Sequence, residues 1–254
     1  MGFYLYGIVK LHRVPDPGPI GIGDPPAGII FLAEGQLAAV ASRMDLEQRL
    51  SLVRDGRAHQ GVLDSVLKSQ AVLPISFGTI ASSEGAVRNL LRNRSAEFLQ
   101  TLTELDGKVE VGVKALWEKA AVMKELASRW GDLQSLERRV REHPQQANEL
   151  SVGVGRAVAE LLEQWENTHI ARVKRILEAR ALDSRYNEPI SIRMLMNAAY
   201  LVARNEVAAF EDLVRKLDRE LEGRIRFHFA APLPAHNFVD IRITPEEVEQ
   251  LVGK

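Results

Sequence analysis

The chain of 254 residues contains no cysteine. Disulfide bridges, thiolate nucleophiles and cysteine-ligated zinc or iron–sulfur sites are therefore excluded. The chain also lacks an excess of either charge, since 33 Lys and Arg stand against 34 Asp and Glu, for a net charge of -1. A nucleic-acid-binding protein more often carries a basic excess on one face, so neither DNA nor RNA is an expected partner.

Long apolar runs are missing as well. A membrane-spanning helix needs ~20 consecutive apolar residues, but the run over residues 194–203 is interrupted by Asn197 and Tyr200 and stops at Arg204. The N-terminus has no basic stretch before its apolar residues and no small-residue cleavage site, as a signal peptide would have. We therefore expect no membrane partner, and the absence of cysteine permits a cytoplasmic location.

Motifs for phosphate binding and nucleophilic catalysis are absent. No GxxxxGK[ST] loop and no GxSxG elbow occurs. The pair Gly153 and Gly155 does not match the dinucleotide fingerprint, because Val158 takes the third small-residue position and the preceding segment is not a strand. We therefore expect no cofactor and no catalytic residue.

The six histidines are scattered singly, without an HExxH motif or a pair at i and i+4 that could hold a metal ion. No metal site is expected from this pattern. A pocket around His59, His169 or His236 would instead favour an alternative function, that of a two-domain small-molecule-binding protein or enzyme.

The remaining composition is that of an ordinary globular protein, with 46% hydrophobic and 26% charged residues. At about 150 residues per domain the length favours two domains. The alternating pattern of apolar residues restarts at Gly107, which places the predicted domains at 1–106 and 107–254.

The first half is predicted to begin with three short strands. They cover residues 3–9, 29–32 and 37–42, and Gly35 takes a turn position between the second and the third. A fourth strand-like segment over residues 72–80 contains a proline, which indicates a sheet edge or a bulge.

Helical spacing of apolar residues predicts a helix over residues 45–68 and another over residues 84–105. Ser82 or Ser83 would cap the start of the second helix. The predicted first domain is therefore a mixture of helices and strands.

The second half has the pattern of an α+β fold. Its predicted elements are a strand over 109–115, helices over 117–130 and 133–142, a long helix over 152–182, a strand over 190–202, a helix over 207–221 and a strand over 225–231. This order predicts a ferredoxin-like sandwich with inserted helices.

The long helix has an apolar stripe over about thirty residues, or ~45 Å. Its members are Val154, Val158, Leu161, Trp165, Val173 and Ile176. Because that length exceeds what a small domain can cover, part of the helix could project, pair as a helical hairpin, or meet a partner chain. The stripe is therefore a candidate interaction surface, and the alternative is a surface helix packed on a sheet by one face.

Several segments are similar to a known family. Residues 71–79, AVLPISFGT, resemble the VLP-x-x-FGT signature of the GvpF/GvpL gas vesicle protein family, and residues 35–42, 58–63, 109–114 and 197–202 are similar to further motifs of that family. The usual tGPWPPYsF motif stands here as FAAPLPAHNF, without its glycine, tryptophan and tyrosine. The matching positions are Leu73, Pro74, Phe77, Gly78, Thr79, Asn197, Tyr200, Pro232, Pro234 and Phe238.

The resemblance implies a non-enzymatic accessory or minor structural protein of gas vesicle formation, located in the cytoplasm and at the gas vesicle. Its partners would be the small hydrophobic shell protein and other vesicle accessory proteins, and its role would be to help nucleate or assemble the shell. The family fold has two α+β domains, the second ferredoxin-like. Binding could use the long helix, or strand addition at an open sheet edge.

Structural roles are expected for the family positions. Pro74 and Gly78 would fix a bent edge strand, and Phe77 would pack on the core of the first domain. Tyr200 and Phe238 are interpreted in the same way.

Overall fold

The structure is a computed structural model that describes residues 1–11, 21–130, 147–239 and 243. The chain divides into two compact units. The first contains Met1–Glu110 and the described residues from Ala231 onward, and the second contains Val111–Ala230. Each unit has its own sheet.

The first unit is built on an antiparallel sheet. Its strands are β1 (Gly2–Lys10), β2 (Ile30–Glu34), β3 (Leu37–Met44), β4 (Leu73–Pro74) and β5 (Ile80–Ala81), in the order β2-β3-β1-β4, with β5 also paired to β1. The predicted hairpin is confirmed, since β2 and β3 pair with Glu34 opposite Leu37, and Gly35 has a φ of 59°. Such a positive φ favours glycine.

The proline-containing segment also lies where it was predicted, at a sheet edge. β4 pairs with one end of β1, with Gly7 opposite Pro74, and β5 pairs with the other, with Tyr4 opposite Ile80. A bulge in the pairing of β1 with β3 falls between Leu5 and Gly7. The segment between β4 and β5 therefore leaves the edge and returns to it.

The described part of the first unit also contains three α-helices, α1 (Arg54–Leu67), α2 (Glu84–Asn93) and α3 (Ser95–Glu104), and a 3-10 turn, His236–Phe238. Ser83 caps α2, because its side chain accepts the N–H of Ala86. The predicted helix over 84–105 is broken at Arg94, and Phe98 beyond the break is fully buried. The break thus lets α2 and α3 each turn an apolar side toward the core.

The prediction of a helix over 45–68 is wrong for its first part, because α1 begins only at Arg54. The buried carboxylate of Asp55 accepts the N–H of Gly23 at 3.0 Å and that of Ser51 at 2.6 Å. These bonds hold the preceding chain in a loop, and Leu52 and Val53 in that loop are exposed. Helical spacing of apolar residues was insufficient here, because Leu46, Leu52 and Val53 stay 50%, 82% and 66% exposed and so gain little from packing.

The second unit contains the described helices α4 (Lys119–Trp130), α5 (Ala147–Trp165), α6 (Ala171–Glu178) and α7 (Val207–Glu220), with a π-helical turn, Glu166–Ile170, between α5 and α6. Its sheet includes β6 (Lys108–Trp117), β7 (Asp183–Tyr186), β8 (Met194–Ala203) and β9 (Ile225–Leu233), in the order β7-β8-β6-β9. This connectivity, β-α-β-β-α-β with extra helices after β6, confirms the ferredoxin-like prediction. The predicted helix over residues 133–142 lies outside the described residues.

The long helix is present but is not free. α5, the π turn and α6 run without interruption, and they contact α4, β8 and α7. One side is buried, at Ala157, Leu161, Trp165, Ile170, Val173 and Leu177. The interpretation as a helix packed by one face is therefore correct. No described helix has the length and apolar character needed to cross a membrane.

The unit limits fall inside β6 and β9. The predicted domains, 1–106 and 107–254, differ from this grouping mainly at the end of the chain, because residues from Ala231 onward group with the first unit. Val239 and Ile243 contact its hydrophobic core, together with Leu5, Leu73 and Phe98. The domain limits drawn from the sequence stay a prediction.

Gly7 is required for the approach of β4 to β1. A Cβ atom on Gly7 would lie 2.8 Å from the carbonyl oxygen of Leu73 and 2.8 Å from a methyl group of Val72. We expect Gly7→Ala to lower the free energy of unfolding by about 1–3 kcal/mol, measured by urea denaturation. Gly28→Ala is the matched control because nothing lies within 4 Å of its Cβ position, and equal midpoints for the two variants would contradict the clash.

Candidate functional site

The family-signature segment, residues 71–79, lies along the middle of β1. Leu73 and Pro74 are buried in β4. Beyond β4, Ile75 donates its N–H to the carbonyl of Tyr6 at 2.9 Å, and Thr79 accepts the N–H of Leu5 at 3.0 Å. The chain between these two bonds forms a tight loop standing on β1.

The loop is closed by its own hydrogen bonds. Thr79 donates both its N–H and its hydroxyl to the carbonyl of Ser76, and the hydroxyl bond measures 2.8 Å. Gly78 has a φ of 90°, which strains any residue with a side chain. The expected roles of Pro74 and Gly78 in shaping an edge segment agree with this geometry.

Beneath the loop lies an aromatic cluster, which we call the Tyr–His cluster: Tyr4, Tyr6, His59 and Phe77. The Tyr4 hydroxyl accepts the N–H of Gly78 at 3.1 Å and lies 2.9 Å from Nδ1 of His59. The Phe77 ring stands edge-on to Tyr4 at 6.1 Å and to His59 at 5.8 Å. Phe77 is only half-buried, so it covers the cluster and does not belong to the main core.

His59 is held in one tautomer. Its ring also forms a hydrogen bond with the backbone of Ile75. The N–H of Ile75 is already donated to Tyr6, so the partner is the Ile75 carbonyl oxygen. The ring nitrogen that donates to this carbonyl must carry the proton, and it is not the Nδ1 that faces Tyr4. Nδ1 of the neutral ring then accepts the Tyr4 hydroxyl proton. Burial, with a smaller repulsion from His236, lowers the pKa of His59 to about 4. The ring is therefore neutral at neutral pH.

A second polar network continues from Tyr6. Its hydroxyl donates to Ser42 at 3.0 Å and accepts the N–H of Ile22 at 2.9 Å, and Ser42 donates to the carbonyl of Gly28.

Asp55 of α1 bonds the same segment of the chain. Burial raises the pKa of its carboxyl, but the Arg54 guanidinium and the N–H groups of Gly23 and Ser51 outweigh this effect and hold that pKa below its usual range. These groups tie the segment after Gly21 to β1, β3 and α1.

The last family-signature positions lie at the end of β9 and just after it, in residues 232–238. Pro234 is buried, Phe238 is half-buried and Pro232 is exposed. Glu110, 4% exposed, accepts the N–H of Asn237 at 2.8 Å and its side-chain amide at 2.7 Å. Burial raises the pKa of Glu110, against the effect of these two bonds.

The sequence pattern gave no indication that Glu110, Tyr4, Tyr6 and Asp55 are buried structural groups. Glu110 alternates with Val109 and Val111, a pattern that indicates an outward polar side chain. Its partner Asn237 lies more than a hundred positions away, and nothing in the local pattern indicates that contact.

In the second unit, Asn197 and Tyr200 lie on β8. Asn197 donates its side-chain amide to the carbonyl of Glu188 at 3.0 Å. Tyr200 is fully buried and packs against Phe210 at 5.4 Å and edge-on to Tyr186 at 6.3 Å. Both side chains therefore support other segments and are not themselves presented to a partner.

The candidate interaction stripe is not a fully exposed surface. Leu161 and Val173 are fully buried and Trp165 is 2% exposed, while Val154, Val158 and Ile176 are half-buried. The expectation of an exposed stripe is wrong for Leu161, Trp165 and Val173. Their side of the helix is covered by α4, α7 and β8.

No group of three His, Asp or Glu side chains within the described ranges could hold a metal ion. A groove of about 310 Å³ beside α7 is lined by charged side chains together with Phe210 and Leu213, and one of about 620 Å³ beside α4 is lined by charged and small residues. None of His59, His169 and His236 lines either groove. The pocket that would have favoured the alternative function is not seen at these grooves.

The neutral state of His59 makes stability pH-dependent. Between pH 6.5, the ordinary pKa of a histidine, and about pH 4, His59 binds a proton in the unfolded chain but not in the folded chain. The free energy of unfolding therefore falls as the pH falls through this window. The loss attributable to His59 approaches about 3 kcal/mol at pH 4.

We expect His59→Gln to remove this part of the pH dependence, measured by urea denaturation at several pH values. The variant is needed because the raised pKa of Glu110 acts in the opposite direction. His228→Gln, at an exposed position of β9, is the control. Equal pH dependence of stability in wild type and His59→Gln would show that the pKa of His59 is not lowered by folding.

Phe77→Ala should lower the free energy of unfolding by about 2 kcal/mol, less than a fully buried Phe would lose, because only one side of the ring is covered. Thermal unfolding measures this loss. An unchanged Tm together with lost vesicle formation would instead identify Phe77 as an interaction residue.

Comparison with known proteins gives a consistent result. The family model described as "Gas vesicle synthesis protein GvpL/GvpF" matches residues 2–240. The chain is 32% identical to gas vesicle protein F of Streptomyces sp. (strain CB03234), over 94% of this chain and 100% of that protein. It is 27% identical to gas vesicle protein L of the same organism, over 94% and 92%.

Solved structures share the fold. The crystal structure of GvpF from Anabaena sp. PCC7120 matches with a TM-score of 0.75 at 22% identity, over 95% of this chain and 97% of that one. GvpF from Microcystis aeruginosa matches with a TM-score of 0.73 at 21% identity, over 94% and 99%. The family model alone spans nearly the whole chain, and this chain belongs to the GvpL/GvpF family of gas vesicle synthesis proteins.

Proposed function

We propose that this protein is a non-enzymatic accessory protein of gas vesicle formation that binds the small shell protein and assists nucleation or assembly of the shell. The observation that carries the proposal is the family match over residues 2–240. Its site of action would be the cytoplasm and the growing vesicle. Other vesicle accessory proteins would be further partners.

Physical chemistry supports a binding role. A shell subunit that lines a gas space has a large apolar surface before it is assembled, and exposed apolar surface drives aggregation unless a partner covers it. The buried polar groups of Tyr4, Tyr6 and Glu110 bond other segments of the chain, which agrees with a structural role for them.

Strand addition at a sheet edge is disfavoured, because an edge group of each sheet is already occupied. On β7, Asn187 donates its N–H toward β8, so by alternation the backbone groups of Ser184 point outward. The N–H of Ser184 donates to the Asp183 carboxylate at 2.7 Å, and its carbonyl accepts from Arg185 at 3.0 Å. A side chain that occupies an outward backbone group removes a hydrogen bond that an added strand would otherwise make.

The edge strands β2 and β9 have similar side-chain contacts. Arg88 of α2 donates to the carbonyl of Ala33 on β2. Asp218 of α7 accepts the N–H of Phe227 on β9 at 2.8 Å. We infer that contact with the shell protein uses exposed side chains and not backbone pairing.

The test is co-purification with a tagged copy of this protein expressed with the complete vesicle gene set of its cell. We expect the shell protein and other vesicle proteins to be recovered. Repeating the purification without the shell gene shows which of the other vesicle proteins are recovered independently of the shell protein. Deleting the long helix is unsuitable as a probe, because Leu161, Trp165 and Val173 are part of the core. Recovery of folded protein without any shell protein would overturn the proposed binding.

A further inference from the structure

β7, the residue before it and the turn that joins it to β8 expose several large apolar side chains. Leu182 is 58% exposed, Tyr186 42%, Ile190 72% and Ile192 90%. We call residues 182–193 the β7–β8 arm; every residue in it except Ser184 is exposed. Single exposed aliphatic residues are ordinary, but several in one short segment mark an interaction surface.

The arm is held in place by hydrogen bonds. Asn187 donates its N–H to the carbonyl of Asn197 at 2.8 Å, and the Asn197 side chain donates to Glu188 at 3.0 Å. At the other end, Trp117 donates its indole N–H to the carbonyl of Ile192 at 2.9 Å and its backbone N–H to Arg193 at 2.9 Å. The exposed isoleucines are therefore presented on a fixed backbone, which reduces the entropy lost on binding.

Tyr186 is fixed as well. Its hydroxyl donates to Glu178 at 2.5 Å, the Lys174 ammonium lies 4.7 Å from its ring centre, and Tyr200 supports the ring from below. The family positions Asn197 and Tyr200 thus share one effect, since each holds part of the arm from β8.

The charges beside Ile192 favour an anionic neighbour. Glu118 is shared by Arg193 at 3.6 Å and Arg226 at 3.1 Å, so two guanidinium groups face one carboxylate. Both arginine side chains are about half exposed or more, at 49% and 66%. A partner that places a carboxylate here would complete the pairing.

The size of the patch restricts what can occupy it. Four apolar side chains present roughly a few hundred Å², whereas a stable dimer buries about 800 Å² on each partner. A second copy of this chain would therefore need more surface than the arm offers. One short segment of another protein, a single helix or turn, suits the size.

From these observations we propose that the β7–β8 arm is the docking surface for a short apolar segment, flanked by carboxylates, of a gas vesicle protein. The proposal rests on the proposed function for the identity of its partners. It adds the place of contact and the chemistry of the segment.

The test compares two double variants of the tagged protein, expressed with the complete vesicle gene set. Ile190→Ser with Ile192→Ser should lower recovery of vesicle proteins about tenfold, as expected when exposed anchors are removed. Leu52→Ser with Val53→Ser is the matched control, because these residues are 82% and 66% exposed in the first unit. Both variants should keep the wild-type Tm, since exposed positions contribute little to stability.

Two further measurements examine the partner. Arg226→Gln should lower recovery severalfold and reduce its sensitivity to added NaCl. A photo-cross-linking residue at position 192 should label a vesicle protein at an apolar segment beside Asp or Glu. Undiminished recovery with the isoleucine variant, or cross-linking only to a second copy of this chain, would overturn the proposal.

The outcomes separate the two proposals. If the wild type recovers vesicle proteins but not the shell protein, shell binding fails, and the label from position 192 still decides whether the arm is the contact. If the shell protein is recovered equally by both double variants, the proposed function stands and the arm is not its surface.

Discussion

The hydroxyl group of Tyr4 joins three parts of the first unit that are distant in the sequence. It accepts the N–H of Gly78 from the signature loop and bonds His59 from α1, while its own chain forms the central strand β1. Neither β4 nor β5 could hold the edge alone, since each contains two residues. Because a buried hydroxyl, imidazole and amide are costly when unpaired, this bonding permits one position for the loop.

The same principle explains the signature positions in physical terms. Pro74 and Gly78 shape the loop, Thr79 closes it, and Phe77 covers the polar pair beneath. In the second unit Asn197 and Tyr200 hold an exposed segment from below. Residues by which the family is recognised thus hold other segments in place here, and the exposed segment held by Asn197 and Tyr200 carries ordinary aliphatic side chains.

Local patterns predicted much of the fold. The Gly35 hairpin, the Ser83 cap, the edge position of Pro74 and the ferredoxin-like order all follow from neighbours in sequence or from the alternation of types. The start of α1 could not be predicted, because Asp55 bonds Gly23 some thirty positions away. Nor could the burial of Glu110, or of the stripe on the long helix, since periodicity indicates which side is apolar but not what covers it.

The π turn between α5 and α6 has a consequence for insertions and deletions. A regular α-helix turns about 100° per residue, so buried positions recur after three or four residues. Trp165 and Ile170 are five apart, yet both are buried, because the wider turn absorbs one extra residue. Losing one residue within the turn would restore a regular α-helix and leave Leu161 and Trp165 facing the core. The same loss between Leu161 and Trp165 would rotate the preceding part of α5 by about 100° and carry Leu161 away from the core. The turn is therefore the one place in the described long helix where a change of length can leave the phase of its apolar side intact.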